Sequence, residues 1–159
     1  MRILALDYGR ARIGAALADA SGSEARPLAT LERVNRNEDM RRLRELVREH
    51  AVRVVVVGLP LRLDGTRGEM AEEATRFAQR LHKQLGLPVE LVDERLTSWE
   101  AERLLEEQQG RTMRGAMHDN KRRKQPNRIG VDAMAAALIL KEYLGRAQVH
   151  TEARRETSA

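Results

Sequence analysis

Residues 1–18, MRILALDYGRARIGAALA, contain two apolar runs joined by a short polar turn. Arg2 to Leu6 reads as a buried strand with Asp7 at its end, Gly9 to Arg12 as a four-residue turn, and Ile13 to Ala18 as a second strand. So short a connection returns the chain antiparallel, which predicts a β-hairpin with an acid at its rim. Alternation along the first strand puts Ile3, Ala5 and Asp7 on one face and Leu4 and Leu6 on the other. Asp7 therefore shares a face with core residues, where a carboxylate anion is costly unless positive charge sits against it. A divalent cation would supply that charge, as would Arg10 or Arg12 of the same turn. Asp and Gly also favour turns for purely local reasons, so the hairpin alone leaves a structural turn and a functional carboxylate both open.

The chain of 159 residues has the size of one domain with a full core. It contains no cysteine, which excludes a disulfide framework and a thiolate metal site. Only four apolar residues (Ile3 to Leu6) precede Asp7, too few for a signal peptide, and no window approaches the roughly 20 apolar residues that span a bilayer. The expectation is a soluble, cytoplasmic protein without membrane contact.

Charge is unevenly placed. The chain carries 29 Lys and Arg against 24 Asp and Glu. Between Gly110 and Gly130, Arg111, Arg114, Lys121, Arg122, Arg123, Lys124 and Arg128 face Asp119 alone, so one segment holds the whole excess. That is the electrostatic footprint of a polyanion-binding protein, although a solvated basic loop has the same composition. Aromatic residues are few (Tyr8, Phe77, Trp99 and Tyr143), which argues against recognition of single strands by rows of stacked rings.

Beyond the hairpin, Asp19 to Pro27 reads as a turn and Leu28 to Val34 as an edge strand. Met40, Leu43, Leu46 and Val47 recur at helical spacing between Asn37, the expected N-cap, and His50. The run Val52 to Val57 marks a strand buried on both faces, as in a parallel sheet. A helix over Glu69 to Leu85 follows from Met70, Ala74, Phe77, Ala78, Leu81 and Leu85, with Gly86 as its C-cap and Pro88 barring continuation. Val89 to Val92 is a short strand ending in Asp93 and Glu94. Thr97 and Glu100 match a capping box for a helix from Ser98 to about Gln109, whose free amides are a seat for phosphate. The glycines and proline of the basic segment argue for a loop or broken helix. Val131 to Leu144 is an alanine-rich final helix with Asp132 in its first turn, where simple dipole capping also explains an acid. Residues 146–159 read as a polar, frayed tail to a single domain over 1–145.

Three carboxylates thus stand at element ends: Asp7, Glu94 and Asp132. If the strands bearing the first two are parallel, both acids lie at one sheet edge and the last helix can bring the third over them. An all-carboxylate set without cysteine suits Mg²⁺ or Mn²⁺ rather than zinc. Cations held this way activate water and stabilise the leaving oxygen of a phosphodiester. His50, His82, His118 and His150 show no metal-ligand spacing.

DYGRARIG (7–14), GLPLRLDG (58–65), DERLTSWEA (93–101) and DAMAAALILKEYL (132–144) are similar, in order and spacing, to the YqgF/RuvX family, a compact branch of the RNase H-like superfamily related to the RuvC Holliday junction resolvases. The resemblance runs from Ile3 to about Leu144. It implies an α/β fold with a five-stranded mixed sheet of order 3-2-1-4-5 and helices on both faces. It also implies a Mg²⁺- or Mn²⁺-dependent nuclease, described for the family either as a Holliday junction resolvase or as a factor trimming the precursor of small-subunit ribosomal RNA. Carried over residue by residue, Asp7 bridges the metals, Glu94 is the strand-five ligand with Asp93 in reserve, and Asp132 is the final-helix ligand. RuvC enzymes have a second acid three positions into the last helix; here that position is Ala135, which leaves three acids rather than four. Arg10, Arg12 and Arg95 are candidate phosphate contacts beside the site, with Lys121, Arg122, Arg123, Lys124 and Arg128 as the basic arm. The partner is then nucleic acid, RNA precursor or branched DNA, met by a monomer or a weak homodimer. Two other readings compete. An actin-like or sugar-kinase-like ATPase starts with the same hairpin, but needs a second, duplicated domain for which 159 residues leave no room. A binding factor in ribosome maturation or transcription would keep the fold without the catalysis.

Overall fold

The computed structural model describes residues 1–19, 24–60, 67–93 and 130–157, with side chains of the last stretch described to Arg146. Five strands, β1 (Arg2–Tyr8), β2 (Arg12–Asp19), β3 (Arg26–Glu32), β4 (Val52–Leu59) and β5 (Val89–Asp93), form one sheet in the order β3-β2-β1-β4-β5. The pairs β1/β2 and β2/β3 are antiparallel, whereas β1/β4 and β4/β5 are parallel. The C-terminal ends of β1, β4 and β5 consequently share one edge of the sheet, as the expected topology requires.

Alternation along β1 divides the core into two layers. Leu4, Leu6 and Tyr8 face α1 (Arg36–Glu49) and α2 (Glu69–Leu85), where they pack with Ile13, Leu17, Val55, Val57, Leu43, Phe77 and Leu81. Ile3 and Ala5 face α3 (Val131–Thr157) and join Ala16, Ala18, Val56, Val92, Ala136, Ile139 and Leu140. The second layer is built largely of alanine on both sheet and helix, so α3 lies close to the sheet. Asp7 is the next residue in the row Ile3, Ala5 and therefore lies on the α3 side.

Helix α2 spans the residues that its apolar periodicity marks, and Gly86 caps it in the left-handed region at φ +66°. Elsewhere the boundaries move. Asn35, rather than Asn37, caps α1: its side chain accepts a hydrogen bond from the Glu38 amide at 2.8 Å. Strand β3 starts at Arg26 and includes Pro27, tolerated because β3 is an edge strand and the ladder carries an irregularity between Ala15 and Ala16. The β1–β2 turn is one residue shorter than expected, because β1 extends to Tyr8 and β2 begins at Arg12.

The final helix does not stop at Leu144. It continues through Gly145 to Thr157, replacing the expected frayed tail. A helical glycine costs only about 1 kcal/mol relative to alanine, and the residues that follow are mostly good helix formers. Arg146 also reaches back one turn to Glu142 at 2.6 Å. The expected helix from Ser98 and the basic segment 110–130 lie outside the described residues, apart from Gly130.

Candidate functional site

The edge where β1, β4 and β5 end also receives the start of α3, and a glycine sets how closely. Gly14 is the cross-strand partner of Asp7. A Cβ at Gly14 would lie 1.9 Å from the backbone oxygen of Asp132 and 2.8 Å from the Ala133 nitrogen, so only glycine lets the first turn of α3 rest on the sheet here. Antiparallel partners lie about 4.5–5.5 Å apart between Cα atoms, and side chains directly opposite share a face. Asp7 thus stands one strand away from the backbone of Asp132, on the same face of the sheet. The hairpin's closing glycine and the last helix's first acid belong to one constellation.

Asp132 is not left bare. Arg12 Nε donates to Asp132 Oδ2 at 3.1 Å, with the two side chains 54% and 31% exposed. Arg10, on the same turn, is taken by α2: its Nε and Nη2 donate to Glu73 at 3.2 and 3.0 Å, and Nη2 also reaches Glu69 at 3.4 Å. The Arg10 hydrogen bond and charge hold the Glu73 carboxyl below its ordinary range, and Glu73 in turn raises Arg10. The two arginines of the turn thus pair with acids on α3 and α2.

The turn is fastened from behind. Gly9 N donates to Arg12 O at 2.9 Å, and a Cβ at Gly9 would approach that oxygen to 2.7 Å. Arg33, just beyond β3, donates from its amide to Ala11 O and from Nη1 to the Tyr8 hydroxyl and Gly9 O. Its guanidinium carbon stands 4.8 Å over the Tyr8 ring. Arg33 Nε and Arg42 Nη2 both donate to Asp39, the one charged residue among the described residues that is buried, at 4% exposure. Burial pushes the Asp39 carboxyl up, but the Val34 amide, Arg33 and Arg42 together outweigh it and hold the group below its ordinary value. Sequence reading missed this network, since Arg33 fell inside the expected edge strand Leu28 to Val34 and Asp39 just after the expected N-cap Asn37. A charged side chain one position from the inward-facing Met40 was the available signal.

At the far side, β5 alternates in the same sense. Val92 packs in the α3 layer and Val89 against the other. Glu90 hydrogen-bonds Tyr143 of α3, whose hydroxyl is pushed up to about 12 by burial and then by that carboxylate. Asp93 consequently falls on the face opposite Asp7. Glu94, Arg95, Lys121, Arg122, Arg123, Lys124 and Arg128 lie outside the described residues. Among the described residues no three acidic or histidine side chains gather into a group able to hold a metal. The described part of the candidate site is therefore Asp7 and Asp132, with Arg12 on the latter.

A family model described as "RuvX: Holliday junction resolvase" matches residues 1–146. The chain belongs to the RuvX family. Among its relatives, a protein of Syntrophus aciditrophicus (strain SB) named "Putative pre-16S rRNA nuclease" is 45% identical over 144 residues, covering 91% of this chain and 88% of that one. Proteins of the same name from Koribacter versatilis (strain Ellin345) and Anaeromyxobacter dehalogenans (strain 2CP-C) are 42% and 44% identical over 151 and 146 residues. They cover 95% and 92% of this chain, and 91% and 98% of their own lengths. The Thermus thermophilus RuvC structure superposes with a TM-score of 0.51 at 17% identity, covering 92% of this chain and 97% of RuvC. That likeness is one of fold, and it gives the RuvX sheet its RNase H-like architecture. No described helix of this RuvX chain is long and apolar enough to cross a membrane.

Proposed function

We propose that this RuvX-family chain is a divalent-metal-dependent endonuclease acting on structured nucleic acid, with the 5′ end of pre-16S ribosomal RNA as its principal substrate. The observation that carries the reading is the seating of Asp132 over Gly14, beside Asp7. It sets the backbone of Asp132 one strand from Asp7, on the face that carries the apolar row Ile3, Ala5 and Ala16. Neighbouring acids favour a cation, whose charge relieves the repulsion between them. The donors are hard oxygens, which fits Mg²⁺ or Mn²⁺. Relatives at 42–45% identity whose name specifies pre-16S rRNA support the RNA substrate. The family description supports four-way DNA junctions as the second candidate.

In this reading Asp7, Glu94 and Asp132 hold the cation. The alternation of β5, which turns Asp93 away from Asp7, favours Glu94 over Asp93 as the third ligand. A bound divalent cation supplies Lewis-acid charge at the scissile phosphate. The chain's own groups position the substrate: Arg95 and the basic residues Lys121, Arg122, Arg123, Lys124 and Arg128 hold flanking phosphates, and the Arg33-braced turn presents Arg12 beside them, while Arg10 stays with Glu73 and Glu69. Hydrolysis forms one bond from water oxygen to phosphorus and breaks one phosphorus–oxygen bond of the chain. A pre-rRNA trimming enzyme can work as a monomer, whereas paired cuts across a two-fold junction call for a dimer.

The test is cleavage of a labelled panel comprising a four-way DNA junction, duplex DNA, single-stranded RNA and a structured pre-rRNA fragment, with Mg²⁺ or Mn²⁺, comparing wild type with Asp7→Asn. Metal-dependent cuts in the pre-rRNA fragment that vanish in the variant are expected. Equal binding by both proteins with no cutting by either would replace the enzyme with a non-catalytic RNA-binding factor.

A further inference from the structure

The Arg12–Asp132 pair has a geometry that a simple surface ion pair does not need. Asp132 is the acid whose backbone lies over Gly14, the cross-strand partner of Asp7, and Arg12 sits two residues before that glycine on the same strand. Strand and helix are locked at this point by backbone contact, so the 3.1 Å bond joins two fixed pieces of scaffold rather than two wandering side chains. Both groups nevertheless keep part of their surface open, Arg12 more than Asp132. The guanidinium is thus placed to neutralise Asp132 beside Asp7, yet is exposed enough to leave.

We infer that Arg12 is the resident counter-ion of the candidate metal site: it holds Asp132 in the metal-free protein, and is displaced by a divalent cation to become a phosphate contact. The inference rests on the metal-dependent reading above. One carboxylate oxygen cannot serve a cation and a guanidinium at full strength, so the two compete. Because such coupling is reciprocal, whatever displaces Arg12 from Asp132 also frees it for an anion. Arg10 makes an informative contrast, since its partners Glu73 and Glu69 stand on α2, and cation binding at Asp132 leaves them untouched.

The experiment uses the full chain and two readouts besides cleavage. Mn²⁺ binding is measured by titration calorimetry for wild type, Arg12→Gln, Arg10→Gln and Asp7→Asn. Arg12→Gln is expected to bind Mn²⁺ about two- to five-fold more tightly, the range set by a partly exposed ion pair, while Arg10→Gln is unchanged and Asp7→Asn is weakened. The salt dependence of binding to a fluorescein-labelled RNA duplex is then measured with and without Ca²⁺, used so that no strand is cut. Wild type should gain roughly one unit of slope on adding Ca²⁺ relative to Arg12→Gln, the signature of one additional phosphate contact. Asp132→Asn should show that gain without any cation, and Arg12→Gln combined with Asp132→Asn should lose it. The combined variant also guards against a misfolded single one, since it removes both partners. Wild type that binds Mn²⁺ with Arg12→Gln no tighter, or an Asp132→Asn slope equal to that of the double variant, overturns the exchange and leaves the nuclease reading standing. Absence of Mn²⁺ binding by wild type overturns both.

Discussion

Gly14 is the residue on which the candidate site turns, because an atom that it lacks would occupy the space of the Asp132 carbonyl. Gly14→Ala must push the start of α3 off the sheet, with an expected loss of about 1–3 kcal/mol in urea unfolding and weakened Mn²⁺ binding. An unchanged midpoint would mean that the helix start yields freely. Asp39 makes a pH-dependent contribution. Its folded value lies below the ordinary 3.8, so its stabilisation is complete above that value and drains away as pH falls through the lower, folded one. Asp39→Asn should therefore cost about 2–3 kcal/mol at neutral pH, with the gap to wild type closing only in acid below pH 3.8. Urea midpoints across that range check it; a gap that widens toward acid would contradict the sign. The pairing of each arginine was not legible in the sequence. Arg10 finds its acid 63 residues away and Arg12 finds its own 120 away, distances at which only the assembled sheet decides who meets whom.

At the scale of elements, sequence reading succeeded where one strong periodicity had no rival. Helix α2 offers six apolar positions on one stripe with a glycine just past its end, and its limits fell where expected. The start of α1 offered two asparagines two residues apart, and only the hydrogen bond to the Glu38 amide distinguishes them. Asn35→Ala should lower stability by about 1 kcal/mol while Asn37→Ala changes little, a difference that thermal melts resolve. Pro27 and Gly145 misled in opposite places for one reason: each is a breaker by local preference, and each sits where that preference costs little, on an edge strand and in an exposed turn of helix. Helix α3 is held by the α3-side layer, where Ile139 is fully buried. Ile139→Ala should cost about 2–5 kcal/mol and loosen Asp132 with it, so that Mn²⁺ affinity and unfolding midpoint fall together.

Across the whole molecule, charge and fold divide the work. The sheet and its three described helices place Asp7 and the start of α3, with Asp132, at one edge, while the excess positive charge lies in a single stretch of sequence between β5 and α3. Replacing Lys121, Arg122, Arg123 and Lys124 by glutamine should leave the melting temperature nearly unchanged while lowering the salt dependence of duplex RNA binding by about three units of slope. A slope equal to wild type would remove that stretch from the interface. The two-layer arrangement and the face occupied by Asp7 were readable from alternation in the first eight residues. The seating of the last helix was not, because a glycine's missing side chain carries no pattern until something packs against it.

The two described carboxylates also have an order in time. Asp7 belongs to β1 and Asp132 to α3, with the other four strands between them in the sequence. Until α3 arrives, the row Ile3, Ala5, Ala16, Val56 lacks its cover, and Asp7 lacks its neighbour. A chain interrupted before residue 131 would therefore contain every strand of the sheet and have no assembled site.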